Sequence, residues 1–360
     1  MQRLVKRIGR RLSERVARTS FADAALRSLA ERIRPFEERK QIDEIASAVS
    51  RMIALEERNH LEQTATLRAT RILDWEERKK IDEIAAIDKE MQILLSLKYK
   101  ELLYRHLPLP SLAEAQFRSY SQNGEDGILL YIFSLIGTTS KTVVEMCAGN
   151  GIECNAANLI LNHRWIGLLF DGDEQNIQSG KTFYAAHRDT NWLRPTLAHA
   201  WITAENVNDL IRSNGVAGEI DLLSLDMDGM DYWIWKAMDC IRPRVVVLEY
   251  NWVWGTERSV TVPYTTDFVN TDPGGVHGGN GWIYFGGSLP AFVKLAREKG
   301  YRLVGCEEWG FNAFFIRADV GEDVFPEIEA SKCFEIPMQR KARHPDILKA
   351  MDPRWKWVEV

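Results

Sequence analysis

The sequence predicts an α/β protein whose doubly wound, mostly parallel sheet follows a long helical region. Three observations carry this. Between Trp165 and Arg317, short apolar runs alternate with helical patterns, the rhythm of a parallel sheet with helices on both faces. A glycine-bearing turn lies between a first apolar run and a helical pattern in T-V-V-E-M-C-A-G-N-G-I-E-C-N, Thr142 to Asn155. Residues 36–107 contain neither Gly nor Pro, so nothing local breaks a helix there.

The totals bound the answer. A chain of 360 residues exceeds one ordinary domain and suffices for a sizeable core. Apolar content of 45% and charged content of 27% are globular values. A net charge of −5 gives no reason to expect a nucleic-acid partner. Five cysteines, Cys147, Cys154, Cys240, Cys306 and Cys333, show no paired metal spacing and read as free thiols in a reducing compartment. No apolar run approaches the ~20 residues of a membrane span, and the N-terminus lacks the apolar core of a signal peptide. The expected location is cytoplasmic.

Residues 1–35 carry ten Lys or Arg against three Asp or Glu. Leu4, Ile8, Leu12 and Val16 form a narrow apolar stripe on this basic helix. It either packs on its own chain or lies on an anionic membrane surface. Residues 36–107 read as a long helical region, roughly 100 Å long if unbroken. The stretch F-E-E-R-K-Q-I-D-E-I-A-S-A-V at 36–49 returns as W-E-E-R-K-K-I-D-E-I-A-A-I-D at 75–88. Ile42, Ile45, Val49 and Met52 fit a seam, as do Ile81, Ile84 and Met91. Glu56 and Asp88 fall where apolar residues are due. The region is therefore a coiled coil that makes a homo-oligomer, or a hairpin within one chain. Several basic helices gathered in an oligomer would bind an anionic membrane face together.

S-Y-S-Q-N-G-E-D-G at 119–127 precedes a helical pattern. Gln122, Glu125 and Asp126 lie over a ligand site, or the acids stand at the favourable end of a helix. Val143 and Val144 open the first strand, Glu145 sits near its end, and Gly149 and Gly151 let the backbone approach a ligand closely. Trp165–Phe170 is a second strand ending in Asp171 and Asp173, and a helix follows to about Ala186. Thr196–Thr203 is a third strand, before a helix at Asn206–Ser213. Asp221–Leu225 is a fourth, ending in D-M-D-G-M-D with Asp226, Asp228 and Asp231. A helix follows over Tyr232–Asp239. Arg244–Leu248 is a fifth strand, ending in Glu249, Tyr250 and Asn251. Residues 252–287 are irregular and contain His277. A helix at Leu289–Lys299 leads to closing strands Tyr301–Cys306 and Asn312–Arg317. Acids thus collect at the strand ends where ligands bind in such sheets.

Five strand–helix steps and a closing strand pair resemble the S-adenosylmethionine-dependent class I methyltransferases, a Rossmann-like fold, over roughly residues 119–320. E-M-C-A-G-N-G is similar to that superfamily's acid-x-Gly-x-Gly-x-Gly motif, with Cys147 where the first glycine is usual. S-Q-N-G-E-D-G, L-S-L-D-M-D-G-M-D-Y-W, V-V-L-E-Y-N and G-F-N-A-F-F-I-R resemble FkbM-type and related bacterial sugar O-methyltransferases. The resemblance implies that Glu145, Gly149, Gly151, Asp171, Gln122 and Asp126 hold S-adenosylmethionine, with Asp171 on the ribose hydroxyls. Residues 321–360 form a C-terminal extension outside it.

Asp226, Glu249 and Asn251 would bring three oxygen ligands together, which suits Mg²⁺ or Mn²⁺ holding a substrate hydroxyl. Alternatively Asp228 and Asp231 cap the next helix. His277, in a glycine-rich loop, is either a general base or an exposed loop residue, and Asp226 is the other candidate catalytic residue. The leading reading is methylation of a hydroxyl on a glycan, such as a lipid-linked surface polysaccharide, or on another polar metabolite. A metal-dependent nucleotide-sugar glycosyltransferase using D-G-D or D-M-D, and a non-catalytic helical scaffold, are the alternatives.

Overall fold

The computed structural model describes residues 75–270, 283–335, 353 and 355–360, and the side chains of its first helix from residue 88 on. The basic segment 1–35, the seam at Ile42–Met52, the side chains of Ile81 and Ile84, and His277 lie outside the described residues. The chain divides into two compact units, residues 1–85 and 86–360.

Helix α1 runs unbroken from Trp75 to Tyr104, as a stretch without Gly or Pro predicts. Helix α2, Leu112–Ala115, starts at a reciprocal cap between Ser111 and Glu114. Helix α3 is Glu125–Ile136. Strands β1 (Thr142–Met146), β2 (Ile166–Asp171), β3 (Thr196–His199), β4 (Gly218–Leu225) and β5 (Ile241–Glu249) follow. Between them run α4 (Ala157–His163), α5 (Glu174–Ala186), α6 (Val207–Ser213) and α7 (Asp231–Ala237). After β5 come β6 (Val260–Thr261), α8 (Leu289–Glu298), β7 (Tyr301–Cys306), β8 (Asn312–Arg317) and β9 (Val358–Glu359).

The main sheet has the order β3-β2-β1-β4-β5-β8-β7. Strands β1 to β5 are parallel, and β8 runs antiparallel between β5 and β7. This is the five-step sheet with a closing pair that the sequence predicts, a Rossmann-like fold of the class I methyltransferase type. Alternate strand residues supply opposite faces. Val143, Leu222, Val245 and Phe314 enter one core with α3 and α4. Val144, Leu223, Val246 and Phe315 enter the other with α7 and α8. Strand order reverses between β1 and β4, and the crevice beyond their C-terminal ends is where such sheets bind ligands.

Strand β3 stops at His199 rather than at residue 203, because its one neighbour, β2, ends at Asp171. Strands β4 and β5 begin at Gly218 and Ile241, earlier than the expected Asp221 and Arg244, because they pair with each other from there. In the C-terminal extension, β9 pairs with β6, and Trp357 packs edge-on against Trp254 and Tyr284. No helix among the described residues is long and apolar enough to cross a membrane.

Candidate active site

The site is built on the turn after β1. Cys147, Gly149 and Gly151 all have left-handed backbone, with φ of 59°, 57° and 70°. Cys147 therefore takes a glycine's conformation, at a cost on the order of 1–2 kcal/mol for a residue with a Cβ. A Cβ on Gly151 would lie 2.8 Å from Leu169 Cδ1, so this glycine packs against the sheet. A Cβ on Gly149 would meet nothing within 4 Å. It would project into open space, which is the opening a ligand needs.

Two acids hold this turn. Glu145 is buried, and its carboxylate accepts the N–H groups of Asn155 (3.0 Å) and Ala156 (2.7 Å) and the Ser224 hydroxyl (2.9 Å). It fixes the entry to α4, and burial raises its pKa. Asp171 accepts the Gly149 N–H at 2.8 Å, tying β2 to the glycine turn. Its other oxygen takes the Asp173 N–H (2.8 Å) and the Asn176 amide (3.1 Å). Asp173 in turn accepts the Gln175 N–H at the start of α5. Both acids of D-G-D thus serve local structure.

A cavity of ≈ 200 Å³ opens beside the turn, lined by Gln122, Glu145, Cys147, Gly149, Asn155, Asp226 and neighbouring residues that include Glu125 and Asn312. Gln122 is thus where the sequence predicts it. Asp126 is not: it is 1% exposed. One oxygen accepts the N–H groups of Ser119 (2.8 Å), Tyr120 (2.6 Å) and Ser121 (2.8 Å). This oxygen shapes the loop that presents Gln122, while the other is buried without a hydrogen-bond partner and Asp126 does not line the cavity.

The second half of the site lies at the ends of β4 and β5. Asp226, Asp228 and Glu249 each offer a carboxylate oxygen, all within 4.8 Å of one another. Asn251 does not join them. Its amide donates to the carbonyls of Ile283 (2.8 Å) and Phe285 (2.9 Å), and its oxygen accepts the Val253 N–H (3.1 Å). With its amide and oxygen engaged around the 252–254 turn, Asn251 stands outside the acid cluster, whose third member is Asp228. Asp231 is the acid that organises the start of α7, accepting the N–H groups of Met227 (2.8 Å) and Gly229 (3.1 Å).

Burial and the neighbouring Asp231, Asp228 and Glu145 raise the Asp226 carboxyl. Burial and Asp226 raise that of Glu249. The two carboxyls are crowded together, and a proton shared between them would relieve their repulsion. Cys147 keeps an exposed surface, yet the protein packed around it, and then Asp231, Asp171, Asp226 and Asp228, push its thiol up, which disfavours the thiolate.

Sequence reasoning missed two residues. Asn312 is 6% exposed. Its amide donates to Glu125 at 2.8 Å, while its oxygen is buried without a partner. It opposes Glu249 in the β5–β8 register. Trp201, 54% exposed, has its ring beside Gly172, one residue past Asp171, and its indole N–H bonds the Thr266 carbonyl at 2.6 Å. The closing N-A-F-F-I-R run marks a strand but not the pairing that brings Asn312 to the site.

Fold and site together define a methyltransferase-type sheet with a glycine cradle and an acid cluster side by side. No protein-family model and no curated protein matches the chain. Solved structures similar to it include magnesium protoporphyrin IX methyltransferase from Synechocystis PCC 6803 with bound SAM. That protein is 9% identical, with 54% of this chain and 77% of that chain covered and a TM-score of 0.32. An S-adenosylmethionine-dependent methyltransferase from Clostridium acetobutylicum is 10% identical, covering 53% and 90%, at 0.33. The CcbJ methyltransferase from Streptomyces caelestis is 14% identical, covering 54% and 94%, at 0.33. Scores this low carry no argument, and the fold assignment rests on the chain's own strand order.

Proposed function

We propose that this protein transfers a methyl group from S-adenosylmethionine to a hydroxyl of a polar acceptor such as a glycan. The observation that carries this is the left-handed backbone at 147, 149 and 151, with open space beyond Gly149 and Asp171 tied to the same turn. The residues fit the cofactor: Gly149 and Asn155 line the cradle, Gln122 faces it, and Asp171 and the flat, half-exposed Trp201 stand past β2 and β3. The cofactor supplies an activated methyl group when bound. Asp226 is the residue suited to take the acceptor's proton, since a carboxyl with a raised pKa is a stronger base once ionised. A rim that includes Gln122, Asn155, Asn312 and several acids suits a neutral acceptor with many hydroxyls.

Asp226, Asp228 and Glu249 would also hold a divalent cation, which would stand in place of a shared proton and acidify the acceptor hydroxyl. Calorimetric titration separates the classes. S-adenosylmethionine should bind and UDP-glucose should not. Binding of the nucleotide sugar alone would favour glycosyl transfer, and binding of neither would favour a scaffold.

A further inference from the structure

We infer that Gln92, on the N-terminal helix, is a positioning residue that braces both walls of the cofactor cavity. The affinity part of this inference rests on the methyltransferase reading. Gln92 is 4% exposed, although it belongs to a helix that reads in sequence as part of a separate region. Its amide N–H₂ lies 3.2 Å from the Ser119 hydroxyl and 3.1 Å from Asn158 Oδ1. Its oxygen accepts the Asn158 amide at 3.0 Å and lies 2.8 Å from His163 Nε2. Asp88, four residues earlier, accepts the Ser119 hydroxyl at 3.3 Å. The break in the heptad at Asp88 is thus explained: this side chain serves the domain, not a seam.

Two branches lead to segments that flank the cavity, and the third, to His163, holds the C-terminal end of α4. Through Ser119 the network reaches the loop 119–122. Asp126 gathers the N–H groups of that loop, and Gln122 at its end lines the cavity. Through Asn158 it reaches α4, immediately after Asn155, which lines the opposite wall and is held by Glu145. A side chain that bonds two elements at once fixes their separation, and buried polar networks specify one arrangement because any other leaves groups unpaired. His163 stays neutral, its pKa lowered to about 4 by burial and then by Lys141 and Lys89, so the network is free of buried charge on the α4 side. Helix α1 is therefore a working part of the cavity.

The test compares Gln92→Met with Tyr99→Leu in the full-length protein. Tyr99 lies on the same helix and packs edge-on against Tyr131 at 4.7 Å, outside the network. S-adenosylhomocysteine affinity should fall roughly fivefold or more in Gln92→Met, the scale of one or two lost hydrogen bonds. Tyr99→Leu should lower the melting temperature yet leave affinity unchanged. Hydrogen exchange at the amides of 119–121 should quicken in Gln92→Met alone. If Gln92→Met does not fold, Ser119→Ala removes the same link to the loop and is read the same way. Unchanged affinity and exchange, or equal changes in both variants, would overturn the inference. Failure of the unaltered protein to bind S-adenosylhomocysteine would instead count against the methyltransferase reading, and loop exchange would then decide the role of Gln92.

Discussion

The ends of β1 and β2 and the ends of β4 and β5 are both rich in acids, but the acids differ in what they lack. At β1 and β2 each carboxylate is saturated. Glu145 takes two backbone N–H groups and a hydroxyl, and Asp171 takes two N–H groups and an amide. At β4 and β5, Asp226 and Glu249 face each other and Asp228 instead of donors. One Glu249 oxygen is buried without a partner. Charges satisfied by donors build shape. Charges crowded without donors are held for a ligand or a proton. The first pair sets the cradle and the second is poised for chemistry.

The largest expected effect breaks the first region. Glu145→Leu leaves buried N–H groups without acceptors and should cost about 3 kcal/mol or more, read as a drop in denaturation midpoint. Asp226→Asn should behave oppositely. It relieves carboxyl crowding, so the melting temperature should hold or rise, while methyl transfer should fall on the order of 10²–10⁴-fold. Loss of stability in Asp226→Asn would show that this acid too is structural.

A pH titration sharpens the same contrast. The His163 pKa is lowered to about 4, against ~6.5 when unfolded. Between these values the unfolded chain binds the extra proton, so stability falls as pH drops from about 6.5 towards 4. The loss should be on the order of 2–3 kcal/mol, and His163→Gln should flatten that part of the curve. Asp171→Ala should weaken S-adenosylmethionine binding on the order of tenfold, because it releases the Gly149 N–H that shapes the turn. Trp201→Ala should do so by a few-fold, the scale of one aromatic contact. Smallest and most local is the cation: Mn²⁺ should bind the unaltered protein and not Asp226→Asn, as seen by electron paramagnetic resonance.

Much of this was legible in the residues. Strands β7 and β8 fall where Tyr301–Cys306 and Asn312–Arg317 predict, because short apolar runs bounded by Gly and acids carry their own limits. The turn after β1 is legible because spaced glycines after a buried strand mark a left-handed backbone, as found at 149 and 151. Cys147 read as a departure from the motif, yet its φ shows the motif's backbone intact. Local capping hid the rest. Asn251 and one oxygen of Asp126 sit at ligand-like positions but are spent on nearby backbone, which spacing does not reveal. Gln92 and Asn312 were invisible for the opposite reason: their partners are distant in sequence, and only the docked helix and the antiparallel pairing bring them to the site.

The central claim is that the turn after β1 is a cofactor cradle with its opening at Gly149. Calorimetric titration of the full-length protein and of Gly149→Ala with S-adenosylhomocysteine tests it directly. A Cβ at Gly149 meets no protein atom within 4 Å, so Gly149→Ala should stay folded with a backbone penalty of about 1 kcal/mol. The account predicts one-to-one binding by the unaltered protein, weakened on the order of tenfold or more in Gly149→Ala. No binding by the unaltered protein, or equal binding by both, would contradict it.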